Sequence, residues 1–262
     1  MFIANSRIPT ERAMGTAIMK QCESFARAGH TVELVVPMRP NTHTEEPFAY
    51  HTVEKIFTIT YVWSLDLVFL KKNTVRFLLQ KLTFLLSLVW HVHSSSADVL
   101  YSREPELIGP ILTKKIKVAE LHHLYGLQFF GRKYLSSFAK IITITHALKD
   151  DVVQQFRIAE GKILVVPSGI DISRFTNNNP QEEAQRQLGI TSTKPLVAYV
   201  GSLEKWKGYQ TFLDASEILN EIVQFVVIGG TSEQITTLKG QYPQVLFLGF
   251  IQQQTIAQNE RF

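Results

Sequence analysis

The sequence predicts an α/β protein whose parallel sheets form two successive units, and three observations carry that prediction. Short apolar runs alternate with helix-period segments from the first residues onward, the pattern of βαβ units. The rhythm halts in a polar, turn-rich stretch near residues 167–195 and then restarts. The 262 residues are 45% hydrophobic and 19% charged, apolar enough for packed cores and long enough for two of them.

Residues 2–4 (FIA) read as a clipped strand. Met14, Ile18, Cys22 and Phe25 recur at helical spacing over 13–28, and Gly29 is placed to stop that helix. A strand over 32–36 closes at Pro37. Further strands are expected at 98–102, 117–120 and 141–145, with helical segments at 107–115 and 147–156. A strand at 163–166 precedes the turn Pro167-Ser168-Gly169. Beyond a polar loop at 176–180 come a short helix at 181–188 and a turn at 191–195. The order then resumes as strand 196–200, helix 209–219, strand 224–228, helix 233–239 and strand 245–248. The implied domains are 1–170, a linker over 171–195, and 196–262. The last holds three strands, where a doubly wound sheet usually carries five or six.

Charge and cysteine content narrow the function classes. The net charge of +4 is modest and argues against a dedicated nucleic-acid binder. It is unevenly spread: residues 1–165 hold 20 Lys/Arg against 14 Asp/Glu, and 166–262 hold 7 against 9. The first part therefore suits anionic partners. A single Cys excludes a disulfide framework and a Cys-based zinc cluster, and the first residues show no secretory pattern, so a cytoplasmic location is expected. The most apolar stretch, 75–92, is interrupted by Arg76, Gln80 and Lys81, with Lys71 and Lys72 nearby. Two readings stand: a helix packed on a sheet, or an element docking peripherally on an anionic membrane face.

Neither G-x-G-x-x-G nor G-x-x-x-x-G-K-[ST] occurs, which removes the two common phosphate cradles. In their place Gly201-Ser202-Leu203-Glu204-Lys205-Trp206-Lys207-Gly208 links an apolar strand to a helix. Gly201 and Gly208 admit close backbone approach, the helix start offers free N–H groups, and Lys207 adds a cation. A lysine in a surface turn is as readily just solvated. Gly15, after the first strand, either admits a ligand to the helix start or makes a turn or packing contact. His122, in Glu120-Leu121-His122-His123, stands just past a strand end, where a site would form. His30 reads as structural and His146 as a helix-start residue. His91 and His93 lack a third ligand cluster, so no metal is expected.

Taken in order, AGHTVELVVP, YSREPEL, AELHHLYG, IITITHALKDDVV, KILVVPSGIDISRF, YVGSLEKWKG and VLFLGFI resemble the GT-B glycosyltransferases of family 4, the glycosyl transferases group 1 type. The resemblance implies two facing Rossmann-like domains, the first binding acceptor and the second a nucleotide sugar. It implies sugar transfer with retention to a hydroxyl acceptor, such as a glycolipid, a lipid-linked sugar or a polysaccharide, with no cofactor. Gly15 matches a glycine near the donor phosphates, His122 the E-x-H histidine that contacts the donor sugar, and Lys207 the lysine that neutralises the diphosphate. Ser202 stands where many members have arginine. Phe250 and Ile251 match the segment bordering the nucleobase.

The family's E-x(7)-E element has no counterpart here, so the second domain is expected to be incomplete. Two other readings stay open: an inactive fragment of such an enzyme, and a GT-B-fold sugar-nucleotide epimerase.

Overall fold

The computed structural model describes residues 1–41, 43–66, 74–124, 127, 131–170, 172 and 181–251. Lys71, Lys72, the polar loop at 176–180, residues 171 and 173–180 of the expected linker and the stretch 252–262 lie outside the described residues. The chain divides into units Met1–Ser168 and Gly169–Phe262, two residues before the expected boundary.

The first unit is built on seven parallel strands: β1 (Phe2–Ile3), β2 (Glu33–Pro37), β3 (Thr58–Val62), β4 (Val99–Ser102), β5 (Ile116–Leu121), β6 (Lys140–Thr143) and β7 (Ile163–Val165). Their order is β3-β2-β1-β4-β5-β6-β7. Six helices connect them: α1 (Ala13–Arg27), α2 (Pro47–His51), α3 (Thr74–Ser94), α4 (Pro105–Ile108), α5 (Gly131–Ser136) and α6 (His146–Phe156). Alternation along the strands sorts the side chains into two cores. Phe2, Leu34 and Val36 meet Ile18, Met19 and Cys22 of α1 on one face. Ile3, Val35, Leu100 and Ala119 meet Phe84, Leu88 and Val92 of α3 on the other. Helices on both sides explain why the strands read as unbroken apolar runs.

The second unit holds α7 (Gln181–Gln187), β8 (Leu196–Val200), α8 (Tyr209–Leu219), β9 (Gln224–Ile228), α9 (Ser232–Gln241) and β10 (Leu246–Gly249). Among the described residues its sheet has the parallel order β10-β9-β8. Phe225, Val227, Leu213 and Leu238 fill one face, and Val226 and Ile228 lie on the other with Ile190.

Several expected elements change for identifiable reasons. The helix expected at 107–115 is only α4, followed by a turn, because Pro110 has no N–H and cannot continue it. Strand β3 escapes the apolar pattern because it is an edge strand with only Val62 buried. Helix α2 is short and begins on Glu46, whose carboxylate accepts from Ala49 N at 2.9 Å. His146 does open α6, capped by Thr145 Oγ1 at 3.1 Å from Leu148 N. Phe84 of α3 is fully buried against the sheet. Phe84→Ala should therefore destabilise the chain by about 3–5 kcal/mol, read as a lowered urea midpoint.

Candidate active site

Right-handed crossovers put every strand's carboxyl end on the same edge of a parallel sheet, and ligands bind there, outside the point where the order reverses. In the first unit that point lies between β1 and β4. Asn5, just past β1, donates its N–H to Glu104 Oε1 at 3.2 Å. The Asn5 and Gln80 amides exchange hydrogen bonds of 3.3 and 3.0 Å. Burial, with the charge of Glu106, pushes the Glu104 carboxyl up to about 7. Sequence reasoning missed this cluster. Its signal was the placement of Asn5 and Glu104 just past two apolar runs.

His122 is the first residue beyond β5, as expected. Its Nε2–H donates to Glu120 Oε1 at 2.5 Å. The same buried carboxylate accepts from Gln21 Nε2 at 2.5 Å and from the Tyr101 hydroxyl, and pairs with Arg103 Nε at 3.0 Å. Burial alone would raise the Glu120 carboxyl. The bonds from His122, Tyr101 and Gln21, with the Arg103 charge, bring it down to about 2. Glu120 is thus a fixed anion that orients the imidazole and holds the proton on Nε2. The Nδ1 atom has no partner among the described residues, on a ring 31% exposed.

Gly15 lies in the first turn of α1. A Cβ there would stand 2.2 Å from Thr10 Cγ2 and 3.4 Å from His51 Cε1. Of the two residue-level readings, these distances describe the packing contact. Buried His51 ties the loop down: Thr10 N–H donates to its Nε2 at 3.3 Å, so its Nδ1–H donates to Thr16 Oγ1 at 3.0 Å. Burial pushes this imidazole down to about 4, consistent with the neutral form.

The other histidines serve the fold. His91 meets Glu33 at 2.9 Å, and His93 bonds the Val89 and Leu112 carbonyls at 2.7 and 3.0 Å. Among the described residues no three His, Cys, Asp or Glu side chains converge as a metal site.

In the second unit the loop after β8 folds on itself. Lys207 Nζ donates to Ser202 Oγ at 2.7 Å, and Trp206 Nε1 donates to Glu204 at 2.5 Å. A short 3₁₀ turn, Lys205–Lys207, leads through Gly208 into α8, whose N-terminus has no side-chain cap. Gly201 N bonds Ile228 O at 2.9 Å and Gly229 N bonds Gly249 O at 2.7 Å, so three strand ends are laced together. A Cβ on Gly229 would stand 2.1 Å from Gly201 O, a close approach that sequence reasoning did not single out. Phe250 follows β10 on this edge and is 77% exposed, with Ile251 half-buried beside it. Gly201, Ser202, Lys207, Gly208, Phe250 and Ile251 thus lie on one sheet edge.

Comparison with known proteins identifies the family. The model for Glycosyltransferase Family 4 matches residues 14–174, and that for Glycosyl transferases group 1 matches 180–258. The chain belongs to glycosyltransferase family 4. A D-inositol 3-phosphate glycosyltransferase of Xylanimonas cellulosilytica is 30% identical over 104 residues, 38% of this chain and 25% of that protein. The chain spans about a quarter to a third of the length of the curated relatives it matches. Solved structures share its α/β, GT-B-like fold. A glycosyltransferase from Rickettsia africae superposes with a TM-score of 0.71 at 16% identity, covering 98% of this chain and 69% of that one. Anabaena HepE, solved with UDP and glucose, gives 0.64 at 16% identity, covering 98% and 70%.

Two outcomes follow for this chain. Gly15→Ala should destabilise it by about 1–3 kcal/mol, and adding Thr10→Ser, which removes Cγ2, should restore much of the loss in a double-mutant cycle. The folded Glu120 carboxyl lies below its ordinary 4.5, so its contribution is complete above about that pH and is lost as pH falls toward about 2. Urea midpoints measured across that window should fall more steeply for the parent than for Glu120→Gln.

Proposed function

We propose that this glycosyltransferase moves a sugar from a nucleotide-sugar donor to an acceptor hydroxyl with retention of anomeric configuration. The observation that carries the reading is the loop Gly201–Gly208. It sets the Lys207 ammonium 2.7 Å from Ser202 Oγ, directly before the uncapped start of α8. When the bond from the anomeric carbon to phosphate breaks, its electron pair leaves with the diphosphate and the sugar becomes oxocarbenium-like. Lys207, the Ser202 hydroxyl and the N–H groups opening α8 offset that growing negative charge.

Ser202 in place of arginine leaves one fewer fixed cation, and its hydroxyl turns Lys207 toward the strand end. Exposed Phe250 and Ile251 offer an apolar face for a nucleobase. In the first unit His122 presents Nδ1 as an acceptor for a donor-sugar hydroxyl while Glu120 holds its other nitrogen. Gly15, at the start of α1, borders the donor phosphates in this reading. The acceptor is a glycolipid, a lipid-linked sugar or a growing polysaccharide, used on the cytoplasmic side. HepE, which shares the fold, was solved with UDP-glucose, which makes that donor the first to test.

Calorimetric titration with UDP-glucose and a panel of other nucleotide sugars tests the proposal. Lys207→Ala should weaken donor binding by about tenfold, the scale of one charge-assisted contact. His122→Ala should lower kcat more than it changes KM. Unchanged donor binding by Lys207→Ala overturns the loop assignment. Absence of binding at millimolar donor favours an inactive piece of such an enzyme, and release of a free sugar inverted at C2 identifies an epimerase.

A further inference from the structure

We infer that the outward face of α3 docks on an anionic lipid bilayer. The helix has 21 residues and is long and apolar enough to cross a membrane. It does not span one in this fold, because Phe84, Leu88 and Val92 are fully buried against the sheet. The opposite side is where the sequence is unusual. Val75, Leu78, Leu82, Leu86 and Trp90 recur every three or four residues and are 57, 57, 53, 64 and 75% exposed. At 1.5 Å per residue this stripe runs about 22 Å along the helix. Its exposed apolar area amounts to several hundred Å², more than isolated surface leucines explain.

The charges around the stripe choose its occupant. α3 carries no Asp or Glu, and the carboxylates that reach it are matched: Glu106 by Lys81 at 3.1 Å and Glu33 by His91 at 2.9 Å. Arg76, on the flank, forms no ion pair among the described residues. At the far end His93 binds the carbonyl of Leu112, whose side chain is 88% exposed. Lys115 Nζ caps the Ser95 and Ala97 carbonyls at 2.7 Å, with Lys114 exposed next to it, against the single carboxylate of that turn, Asp98. A second copy of the same face would bring cation against cation. Anionic headgroups complement it, while Leu, Val and Trp enter the headgroup–acyl boundary as an in-plane helix does.

The orientation that follows is functional. Gln80 touches Asn5, so the first turns of α3 stand beside the carboxyl edge of the sheet. Docking through the stripe brings that edge to the headgroup level, where a lipid-borne hydroxyl is presented. The inference goes beyond sugar transfer, and a binding assay reads it without any donor.

Sedimentation of the full chain with vesicles tests it. Vesicles of equimolar phosphatidylcholine and phosphatidylglycerol should bind at least about tenfold more tightly than phosphatidylcholine alone, with the difference shrinking in high salt. Leu82→Glu with Leu86→Glu should abolish binding, and Arg76→Glu, which leaves the apolar stripe intact, should weaken it by a few fold. Circular dichroism of each variant confirms that these exposed positions leave the fold unchanged. Equal binding to both vesicle types, or undiminished binding by the folded double variant, overturns the inference. So does a concentration-dependent dimer in light scattering that the double variant loses while vesicles bind neither protein, since the occupant is then a second copy.

Discussion

Parallel strand pairing is the constraint on which everything else in this chain rests. A parallel neighbour is reached only by a crossover that passes over one face of the sheet and returns. In each unit the strand ends therefore share one edge, and the residues just past them are brought together whatever their separation in sequence. Asn5, Glu104 and His122 come from the ends of β1, β4 and β5. Gly201 and Phe250 stand past or near the ends of β8 and β10 by the same rule, with Gly229 between them. The chemistry is placed by backbone hydrogen bonding before any side chain contributes.

The two edges use charge in opposite ways. In the first unit the carboxylate of Glu120 is buried and stays ionised only because Gln21, Tyr101, Arg103 and His122 all point at it. Such a hub is costly to build and rigid once built. It leaves His122 one ring nitrogen in a fixed direction. In the second unit Lys207 and Ser202 are exposed, and no buried counter-charge holds them. An exposed ammonium stays hydrated, so this edge is open to solvent where the other is held by buried hydrogen bonds.

Helix α3 shows how one sequence pattern can serve two environments. Four-residue spacing sends Gln80, Phe84, Leu88 and Val92 to the inner side, Leu85 packs at its margin, and Leu78, Leu82 and Leu86 are left outward. Apolar residues around most of the helix satisfy the core and overshoot it. Gln80 is the exception on the inner side, and its buried amide is satisfied by Asn5 rather than by water. The helix is thereby tied to the sheet edge at its start and to the core along its length.

Much of this was legible in the sequence. The strands at 196–200 and 224–228 and the helix at 209–219 were readable to the residue, because a short apolar run bounded by turn residues and an amphipathic helix each leave a local pattern. The places of His122, just past a strand, and of Lys207, in a loop between strand and helix, were legible for a similar reason. Other features had no local signature. Glu120 as a charge hub depends on Arg103, Tyr101 and Gln21, 17 to 99 residues away, and Gly15 as a packing contact depends on where Thr10 and His51 come to lie. The sequence alone determined the α/β alternation, the division into two units and the place of the loop after β8, because hydrophobic period and turn residues act locally. Only the tertiary structure decided which side of α3 is covered, which proton His122 keeps and which strand becomes an edge. Those follow from contacts between segments that pairing brings together and sequence distance hides.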